Sequence, residues 1–243
     1  GIPSDQAMRI YQSAHAYPHV RFSGLDCHIG SQLTELTPFM QASAKLLDLL
    51  NTVQSQGSVI THLDLGGGLG IRYRNESPPS IKDYVSALCA STQAVSQRLL
   101  IEPGRSLIGN AGILLTRVEY LKHTPARNFA LVDAAMNDLM RPALYDAYHE
   151  ILPVIRSTQP TSSYQVVGPV CETGDFLGHD RNLHLTQGDL LAVMSAGAYG
   201  MSMSSNYNTR PRAAEVMVDA TATHLIRERE TIEHLMCSER LLP

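Results

Sequence analysis

Lysine is scarce in this sequence, and several features that mark particular classes of protein are missing from it. Only Lys45, Lys82 and Lys122 are lysines, whereas 16 residues are arginine. The four cysteines are scattered without a Cys-x-x-Cys spacing, which argues against a zinc site or a dithiol redox centre. We therefore expect a chain without a bound metal, in a thiol-reducing compartment such as the cytoplasm.

Charge and hydropathy exclude two kinds of partner. The net charge is −4 and the pI is near 6.2, so the chain has neither the electrostatic footprint of a nucleic-acid-binding protein nor a basic face for a membrane surface. It contains no apolar run of about 18 residues and no basic start followed by a short apolar stretch, which predicts neither a membrane span nor a signal peptide. The small negative net charge and the absence of long apolar runs favour small metabolites as ligands.

The start of the chain predicts that it belongs to a longer polypeptide. It begins at Gly1 rather than at an initiator methionine, and its first residues already have a pattern that predicts a helix. We therefore expect a fragment. The hydrophobic content of 44% is enough for a core in one large domain or two small ones.

Helix and strand patterns alternate over the first hundred residues. Helical spacing of apolar residues predicts a short helix over residues 2–16, a longer one from Thr37-Pro38 to a stop at Gly57, and a third through residues 81–88. Three intervening runs are typical of strands: residues 20–27, 59–65 and 98–101. Strand–helix–strand repeats of this kind predict a parallel sheet.

The pattern changes beyond about residue 106. Short apolar or β-branched segments separated by Gly, Pro, Asn and Asp predict an antiparallel, β-rich region, with strands at residues 112–121, 129–132, 164–167, 189–194 and 213–219. Residues 222–235 are charged and predict a closing surface helix.

Each of the first three predicted strands is followed by glycines or by polar and charged residues that could bind a ligand. The first is followed by His28-Ile29-Gly30-Ser31, the second by Gly66-Gly67-Gly68, and the third by Glu102-Pro103-Gly104-Arg105. Ligand sites in parallel α/β folds lie at the carboxyl ends of strands, so three consecutive endings of this kind predict one shared pocket. A guanidinium suits an oxyanion such as phosphate, and a carboxylate beside it suits a protonated ring nitrogen.

Taken singly, each of these motifs has an ordinary alternative. Glu102 and Arg105 could form a weak surface ion pair, and the glycines could form a tight strand-to-helix turn without a ligand. His28 could be a structural histidine or stack on an aromatic cofactor, and Ser31 could cap a turn or donate to phosphate.

Three further blocks lie in the β-rich region. Arg141 and Tyr145 stand four residues apart, which suits a substrate carboxylate on one face of a helical turn, although a surface cation beside a packed tyrosine is the alternative. Cys171 stands beside Glu172 and near Asp175 in a loop broken by Gly and Pro, as expected either of a proton donor or of a buried cysteine with a capping acid. Tyr199 lies in Gly197-Ala198-Tyr199-Gly200, where its phenol could reach phosphate or the segment could simply turn.

Together these blocks resemble the diaminopimelate decarboxylases, of the alanine-racemase-like (fold type III) group of enzymes that use pyridoxal 5'-phosphate. The matching stretches follow the family order over nearly the whole chain: His28-Ile29-Gly30-Ser31-Gln32, Gly66-Gly67-Gly68-Leu69-Gly70, Glu102-Pro103-Gly104-Arg105, Met140-Arg141-Pro142-Ala143-Leu144-Tyr145, Cys171-Glu172-Thr173-Gly174-Asp175 and Gly197-Ala198-Tyr199-Gly200. Ornithine and arginine decarboxylases share the first three blocks, whereas the Arg-Pro-Ala-Leu-Tyr block is more characteristic of the diaminopimelate branch.

The resemblance implies a fold class of α/β plus β. Residues 1–107 would form the C-terminal part of a pyridoxal-phosphate-binding (β/α)8 barrel. Residues 108–243 would form a C-terminal antiparallel β-domain with the substrate and dimer-interface loops. The family's Cys-Glu loop reaches into the partner's site, which implies a homodimer with shared active sites.

The resemblance also implies a reaction and a role for each matching residue. The reaction is the decarboxylation of meso-2,6-diaminopimelate to L-lysine and CO2, the last step of lysine biosynthesis, with Cys171 protonating the substrate carbon. His28 would stack on the pyridine ring and Glu102 would meet its nitrogen, and the cofactor-binding set is His28, Ser31, Gly67, Gly68, Glu102, Gly104, Arg105 and Tyr199. The substrate-binding set is Arg105, Arg141, Tyr145, Glu172 and Tyr199, with Glu172 at the distal amino group.

One departure from the family concerns lysine. The family attaches its cofactor through a lysine on the first barrel strand, and none of Lys45, Lys82 and Lys122 lies in a matching context. We therefore expect this polypeptide alone not to decarboxylate. Alternative functions are another fold type III decarboxylase of the ornithine or arginine type, a racemase with the same barrel and cofactor, or a binding or regulatory relative without catalysis.

Overall fold

The computed structural model describes residues 1–242 and divides into two compact units, residues 1–108 and the residues from 109 onward. The boundary expected from the resemblance, after residue 107, lies one residue earlier. The helices are α1 (Ser4–Gln12), α2 (Thr37–Ser55), α3 (Ile81–Ser91), α4 (Arg105–Ile108), α5 (Arg141–Tyr145) and α6 (Ile232–Met236). The strands are β1 (Gly24–Asp26), β2 (His62–Asp64), β3 (Arg98–Leu100), β4 (Leu114–His123), β5 (Asn128–Val132), β6 (Ile151–Pro153), β7 (Ser162–Val167), β8 (Phe176–Leu183), β9 (Leu190–Val193), β10 (Glu215–Asp219) and β11 (Ala222–Arg227).

The first unit contains a parallel sheet in the order β1-β2-β3. Its register aligns Leu25, Leu63 and Leu99 across the three strands on one face. Helices α2 and α3 supply the apolar residues that pack against the buried Leu25 and Leu63. The predicted alternation of strand and helix is therefore observed, and it produces the parallel sheet expected of β-α-β connections.

The ends of the two helices are defined by their sequence. Pro38 occupies the first turn of α2, where its missing N–H has no intrahelical partner to lose. The Ser80 side chain caps α3 by accepting a hydrogen bond from the Asp83 N–H at 3.1 Å. Phe39 and Tyr84 meet edge to face with ring centroids 4.9 Å apart, which joins the two helices over the sheet.

The register also brings the ends of the three strands to the same level. Asp26 lies opposite Asp64, which lies opposite Leu100, so the three following loops begin side by side. Neighbouring strands in a sheet lie about 4.8 Å apart, so residues just beyond these ends are within side-chain reach of one another.

The second unit is built on a six-stranded sheet in the order β6-β9-β4-β5-β7-β8. All of its pairings are antiparallel except β5–β7, which is parallel, so the expected antiparallel domain is a predominantly antiparallel one. Its core consists of apolar side chains from these strands, including the fully buried Val118, Val166, Leu177 and Leu191. A separate ribbon pairs β10 with β11.

The prediction of a helix over residues 222–235 is wrong. Residues 222–227 form β11, which pairs with β10 in antiparallel register, and only Ile232–Met236 is helical. The turn is made by Ala220 in the left-handed region, at a φ of 50°. Pairing with the preceding strand therefore decides this structure, and the charged composition of 222–235 did not indicate it.

Within the described residues, no helix is both long and apolar enough to cross a membrane.

Candidate active site

The loops that follow β1, β2 and β3 meet at one edge of the parallel sheet. The Leu33 N–H donates to the Gly68 carbonyl at 2.9 Å, and the Glu102 N–H donates to the Gly66 carbonyl at 2.9 Å. The glycine loop is thus hydrogen-bonded to the first loop on one side and to the third on the other. The structure brings the three predicted segments together within the first unit.

Two glycines allow this close approach. A Cβ atom at position 67 would lie 2.2 Å from the Glu102 carbonyl oxygen, and one at position 68 would lie 2.2 Å from the Gly30 carbonyl oxygen. Gly68 also has a φ of +107°, which disfavours any other residue. Any side chain here would push the neighbouring loops apart.

His28 and Glu102 form the first pair of side chains at this edge. The His28 Nδ1 atom accepts a hydrogen bond from the Gly67 N–H at 3.1 Å and lies 3.4 Å from the Glu102 Oε2 atom. The imidazole thus lies between the glycine loop and the Glu102 carboxylate. Both side chains are about half exposed and accessible to a ligand.

Arg105 and Ser31 form the second pair. One guanidinium nitrogen of Arg105 donates to the Ser31 Oγ atom at 3.1 Å, and the other donates to the Tyr73 hydroxyl at 2.5 Å. Tyr73 is buried, and the guanidinium carbon lies 5.6 Å from its ring centroid. Tyr73 therefore orients Arg105 toward Ser31, so that a cationic group and a hydroxyl donor lie beside the glycine loop.

Gln32 fixes the spacing between the first and second loops. Its side-chain amide donates to the Ile71 carbonyl at 2.6 Å and accepts from the Ile71 N–H at 3.1 Å. This amide-to-peptide pair spans 39 positions of sequence and lies next to Ser31. The relative position of Ser31 and the glycine loop thus depends on Gln32.

We expect that Gln32→Met weakens binding of a phosphorylated ligand at this edge by about tenfold, because two hydrogen bonds that join the loops are lost. Isothermal titration of pyridoxal phosphate into the complete gene product measures this. The control Gln54→Met changes an exposed residue of α2 and should alter the affinity less than twofold. Equal affinities for the two variants would contradict the assigned role of Gln32.

Three carboxylates gather near the ends of the strands. Oxygen atoms of Asp26, Asp64 and Glu102 lie within 4.8 Å of one another, and Asp64 also accepts a hydrogen bond from the Gly66 N–H at 2.9 Å. Their negative charge favours a protonated, cationic group beside Glu102. Burial raises the pKa of the nearby Cys27 thiol and the Asp26 carboxylate raises it further, so Cys27 is a poor nucleophile at neutral pH.

The loop of Cys171 and Glu172 lies in the second unit. Both residues are exposed, and the Glu172 carboxylate lies 3.4 Å from the Tyr207 hydroxyl, which donates to it. Asp175, the other acid of this motif, is 3% exposed, and its carboxylate accepts from the Met136 N–H at 2.7 Å and the Val170 N–H at 2.8 Å. Asp175 is therefore the residue that shapes the loop, whereas Cys171 and Glu172 are presented outward.

Burial raises the pKa of Asp175 above its usual 3.8, although its two backbone hydrogen bonds act in the opposite direction. The folded state then binds the proton more tightly than the unfolded state, so the contribution of Asp175 to stability falls as the pH rises through its folded pKa.

We expect that Asp175→Asn lowers the free energy of unfolding at pH 7 by about 1–3 kcal/mol, because an amide NH2 replaces one acceptor and faces a backbone N–H. The difference from wild type should be larger at pH 4.5 than at pH 7. Urea unfolding at both pH values, with the exposed Asp219→Asn as control, tests this. A difference that does not change with pH would contradict the assigned titration.

The Arg141 and Tyr145 side chains lie on α5, as the helical spacing predicts, but in different environments. Arg141 is 8% exposed whereas Tyr145 is 63% exposed. Arg141 is held by a histidine, His149, whose Nε2 atom lies 2.9 Å from its Nη1 atom. The guanidinium is thus fixed by the fold, while the phenol is open to a ligand.

Tyr199 lies in a segment with unusual backbone conformations. Its φ is 60° and that of Ser195 is 57°, a region that non-glycine residues rarely adopt. The Ala196 N–H donates to the Gly112 carbonyl at 2.8 Å and the Gly197 N–H donates to the Gly109 carbonyl at 3.1 Å, which holds the segment in place. Tyr199 itself is 39% exposed, and strain at such a position is typical of functional sites.

Residues 10–197 match a family model described as "Pyridoxal-dependent decarboxylase, C-terminal sheet domain". The chain belongs to this family of pyridoxal-dependent decarboxylases. Its fold class is α/β plus β, the C-terminal part of a pyridoxal-phosphate-binding (β/α)8 barrel followed by an antiparallel β-domain.

Diaminopimelate decarboxylase from Pseudomonas aeruginosa is 55% identical over the whole chain, which covers 59% of that relative. A crystal structure of a protein from Aquifex aeolicus has a TM-score of 0.94 and 43% identity, over 97% of this chain and 59% of that one. Diaminopimelate decarboxylase from M. jannaschii, in complex with L-lysine, has a TM-score of 0.92 and 38% identity, over 98% of this chain and 56% of that one. The chain thus spans less than two thirds of the length of these relatives.

The groups at the sheet edge fit pyridoxal phosphate. Arg105 and the Ser31 hydroxyl, which lie beside the glycine loop, are a cation and a donor suited to a phosphate. The accessible imidazole of His28 suits the face of a pyridine ring, and Glu102 suits its protonated nitrogen. All the predicted cofactor residues except Tyr199 lie in the first unit, and Tyr199 lies in the second. Those in the first unit are His28, Ser31, Gly67, Gly68, Glu102, Gly104 and Arg105.

Sequence reasoning missed Tyr73, His149 and the supporting role of Gln32. Gln32 is part of the His28-Ile29-Gly30-Ser31-Gln32 motif, so the motif was a sequence signal for its role. Tyr73 and His149 follow motif residues by several positions without any pattern of their own, and they are identified only by their contacts with Arg105 and Arg141.

Proposed function

We propose that this chain belongs to a pyridoxal-phosphate-dependent carboxy-lyase that converts meso-2,6-diaminopimelate to L-lysine and CO2. The observation that carries the proposal is the gathering of His28, Glu102, Ser31 and Arg105 around the glycine loop. The similarity to diaminopimelate decarboxylases, one of which has been solved in complex with L-lysine, supports this choice of substrate.

In this proposal the residues of the first unit hold the cofactor. The phosphate is bound by Arg105, Ser31, Gly104 and the glycine loop. His28 lies on the ring, and Glu102 keeps a proton on the ring nitrogen. When bound, pyridoxal phosphate supplies an electron sink for the electron pair left when CO2 departs. A carboxylate at Glu102 would favour the protonated ring nitrogen, and a protonated ring accepts electrons more readily than a neutral one.

The residues of the second unit bind the substrate and return the proton. Arg141, Tyr145 and Tyr199, together with Arg105, are the groups for the substrate carboxylates, and Glu172 meets the distal ammonium. Cys171 delivers its thiol proton to the carbon that lost CO2. The outward presentation of Cys171 and Glu172 supports a homodimer in which this loop enters the partner's active site.

We also place the protein in the cytoplasm, because all four cysteines are free thiols. By itself the 243-residue chain is not expected to release CO2. Its lysines, all exposed, lie on helices α2 and α3 and on strand β4, rather than at a strand end of the parallel sheet.

The test is release of CO2 by the complete gene product supplied with pyridoxal phosphate and, separately, meso-diaminopimelate, ornithine or arginine. The proposal predicts release from meso-diaminopimelate at a kcat/KM at least about a hundredfold above the other two. Release from ornithine or arginine alone would replace the substrate assignment. Binding of the cofactor without any CO2 would instead favour a regulatory relative.

A further inference from the structure

An arginine and a histidine form a buried pair in the second unit. Arg141 is 8% exposed and His149 is 0% exposed, and the Arg141 Nη1 atom lies 2.9 Å from the His149 Nε2 atom. Arg141 belongs to the proposed substrate set, whereas His149 belongs to no motif of the sequence. A buried arginine in a functional set needs a group that determines where its planar guanidinium points.

The chemistry of its two neighbours fixes the tautomer of His149. Its Nδ1 atom lies 2.8 Å from the Met194 carbonyl oxygen, which can only accept a hydrogen bond. On the other side, a guanidinium can only donate. The proton is therefore on Nδ1, and the lone pair of Nε2 accepts from Arg141.

Neighbouring strands hold the backbone of His149. The helix α5 ends at Tyr145, and Asp146, which follows it, has a left-handed φ of 52°. The Glu150 carbonyl accepts from the Met194 N–H at 2.8 Å. Arg181 of β8 donates to the His149 carbonyl at 3.0 Å, and its guanidinium carbon lies 4.0 Å from the centroid of the Tyr148 ring. The imidazole thus has a fixed position between α5 and β9.

We propose that His149 is a positioning residue that sets the direction of the Arg141 guanidinium and, through it, the affinity for the substrate carboxylate. One N–H of the guanidinium is engaged by His149, so the rotation of the planar group is fixed before the substrate arrives. Pre-orientation of this kind improves binding because less freedom is lost when the ligand binds. The inference rests on the proposed function, in which Arg141 binds a substrate carboxylate.

The test compares three variants of the complete gene product loaded with pyridoxal phosphate. His149→Phe keeps an aromatic ring but cannot accept from Arg141, and we expect KM for meso-diaminopimelate to rise about tenfold while kcat changes less than about threefold. His149→Gln has both a donor and an acceptor, and it should keep KM within about threefold of wild type. His184→Phe is the control, because His184 contacts the Pro160 carbonyl but no arginine, and its KM should be that of wild type.

A double variant shows whether His149 acts through Arg141. In an Arg141→Lys background, the further change His149→Phe should raise KM by less than about twofold, because the guanidinium that His149 orients is already absent. A KM in His149→Phe equal to that of wild type, or the same tenfold rise in both backgrounds, would overturn the inference. Failure of the wild-type protein to release CO2 would instead count against the proposed function.

Nitrogen-15 NMR of histidine-labelled protein gives a readout that does not depend on activity or on a substituted histidine. The inference predicts that at neutral pH His149 is protonated on Nδ1 and unprotonated on Nε2. It also predicts that Arg141→Lys changes the Nε2 resonance, because a different donor then faces its lone pair. The opposite tautomer in the wild-type protein would overturn the inference.

Discussion

Replacing Cys171 with alanine is expected to lower the rate of decarboxylation by about 10²–10⁴-fold, the range over which positioned proton donors act. The thiol lies on an exposed loop whose shape is set by the buried Asp175, so its removal should not disturb the fold. Affinity for pyridoxal phosphate should change less than twofold, because Cys171 is not among the proposed cofactor-binding residues. CO2 release and cofactor titration on the same preparation measure both quantities.

The matched controls are Cys89→Ala and Cys237→Ala, which remove other exposed thiols. Both should retain the wild-type rate. A Cys171→Ala enzyme with that same rate would contradict the assignment of the proton donor.

The proposed sharing of active sites can be tested by mixing two inactive variants. If Cys171 acts in the partner's site, an equal mixture of Cys171→Ala and Glu102→Gln subunits forms mixed dimers with one intact site each. Random pairing then restores about a quarter of the wild-type activity. A mixture that stays inactive after subunit exchange would show that both residues serve the same subunit's site.

The second large effect is expected at Glu102. Glu102→Gln should lower kcat by about 10²–10³-fold, because a neutral amide cannot stabilise a proton on the ring nitrogen by charge. The affinity for pyridoxal phosphate should fall only a fewfold, since Arg105 and Ser31 still provide the phosphate contacts. Steady-state kinetics at saturating cofactor separate the two effects.

Glu35→Gln is the control for this variant, because Glu35 is an exposed carboxylate of the same unit. It should retain the wild-type kcat. An unchanged kcat in the Glu102→Gln enzyme would contradict a role for Glu102 in the reaction, even though Glu102 lies at the sheet edge.

The parallel unit could be predicted from sequence because its elements are determined locally. The apolar residues of α2 recur at helical spacing and the strand ends carry glycines and charges, so the order of elements followed from short-range patterns. Strand lengths could not be predicted in the same way. Residues 20–27 read as one strand, but only Gly24–Asp26 pairs with β2.

The β-domain was less predictable because its strands depend on distant partners. Strand β8 was missed, since it contains Gly178 and a left-handed Asp180 and lacks a clear alternation of apolar residues. The hairpin of β10 and β11 was read as a strand and a helix for a similar reason. In both cases pairing with another segment overrides weak local preference.

The residues of the candidate site also differ in whether the sequence could predict them. The glycines and the charged and histidine residues at the strand ends were visible in the sequence, because they follow three consecutive predicted strands of one parallel sheet. Their supports, such as Tyr73 under Arg105 and His149 beside Arg141, are ordinary residues whose role exists only through tertiary contacts.

The most direct test of the account compares the binding of pyridoxal phosphate with that of pyridoxal, which lacks the phosphate, by isothermal titration of the complete gene product. The account predicts that the phosphorylated form binds at least about a hundredfold more tightly, and that Arg105→Ala removes most of this preference, because charge-assisted hydrogen bonds from Arg105 hold the phosphate. Equal affinity for the two forms, or a preference that survives in Arg105→Ala, would contradict a phosphate site at the edge formed by Ser31, the glycine loop and Arg105.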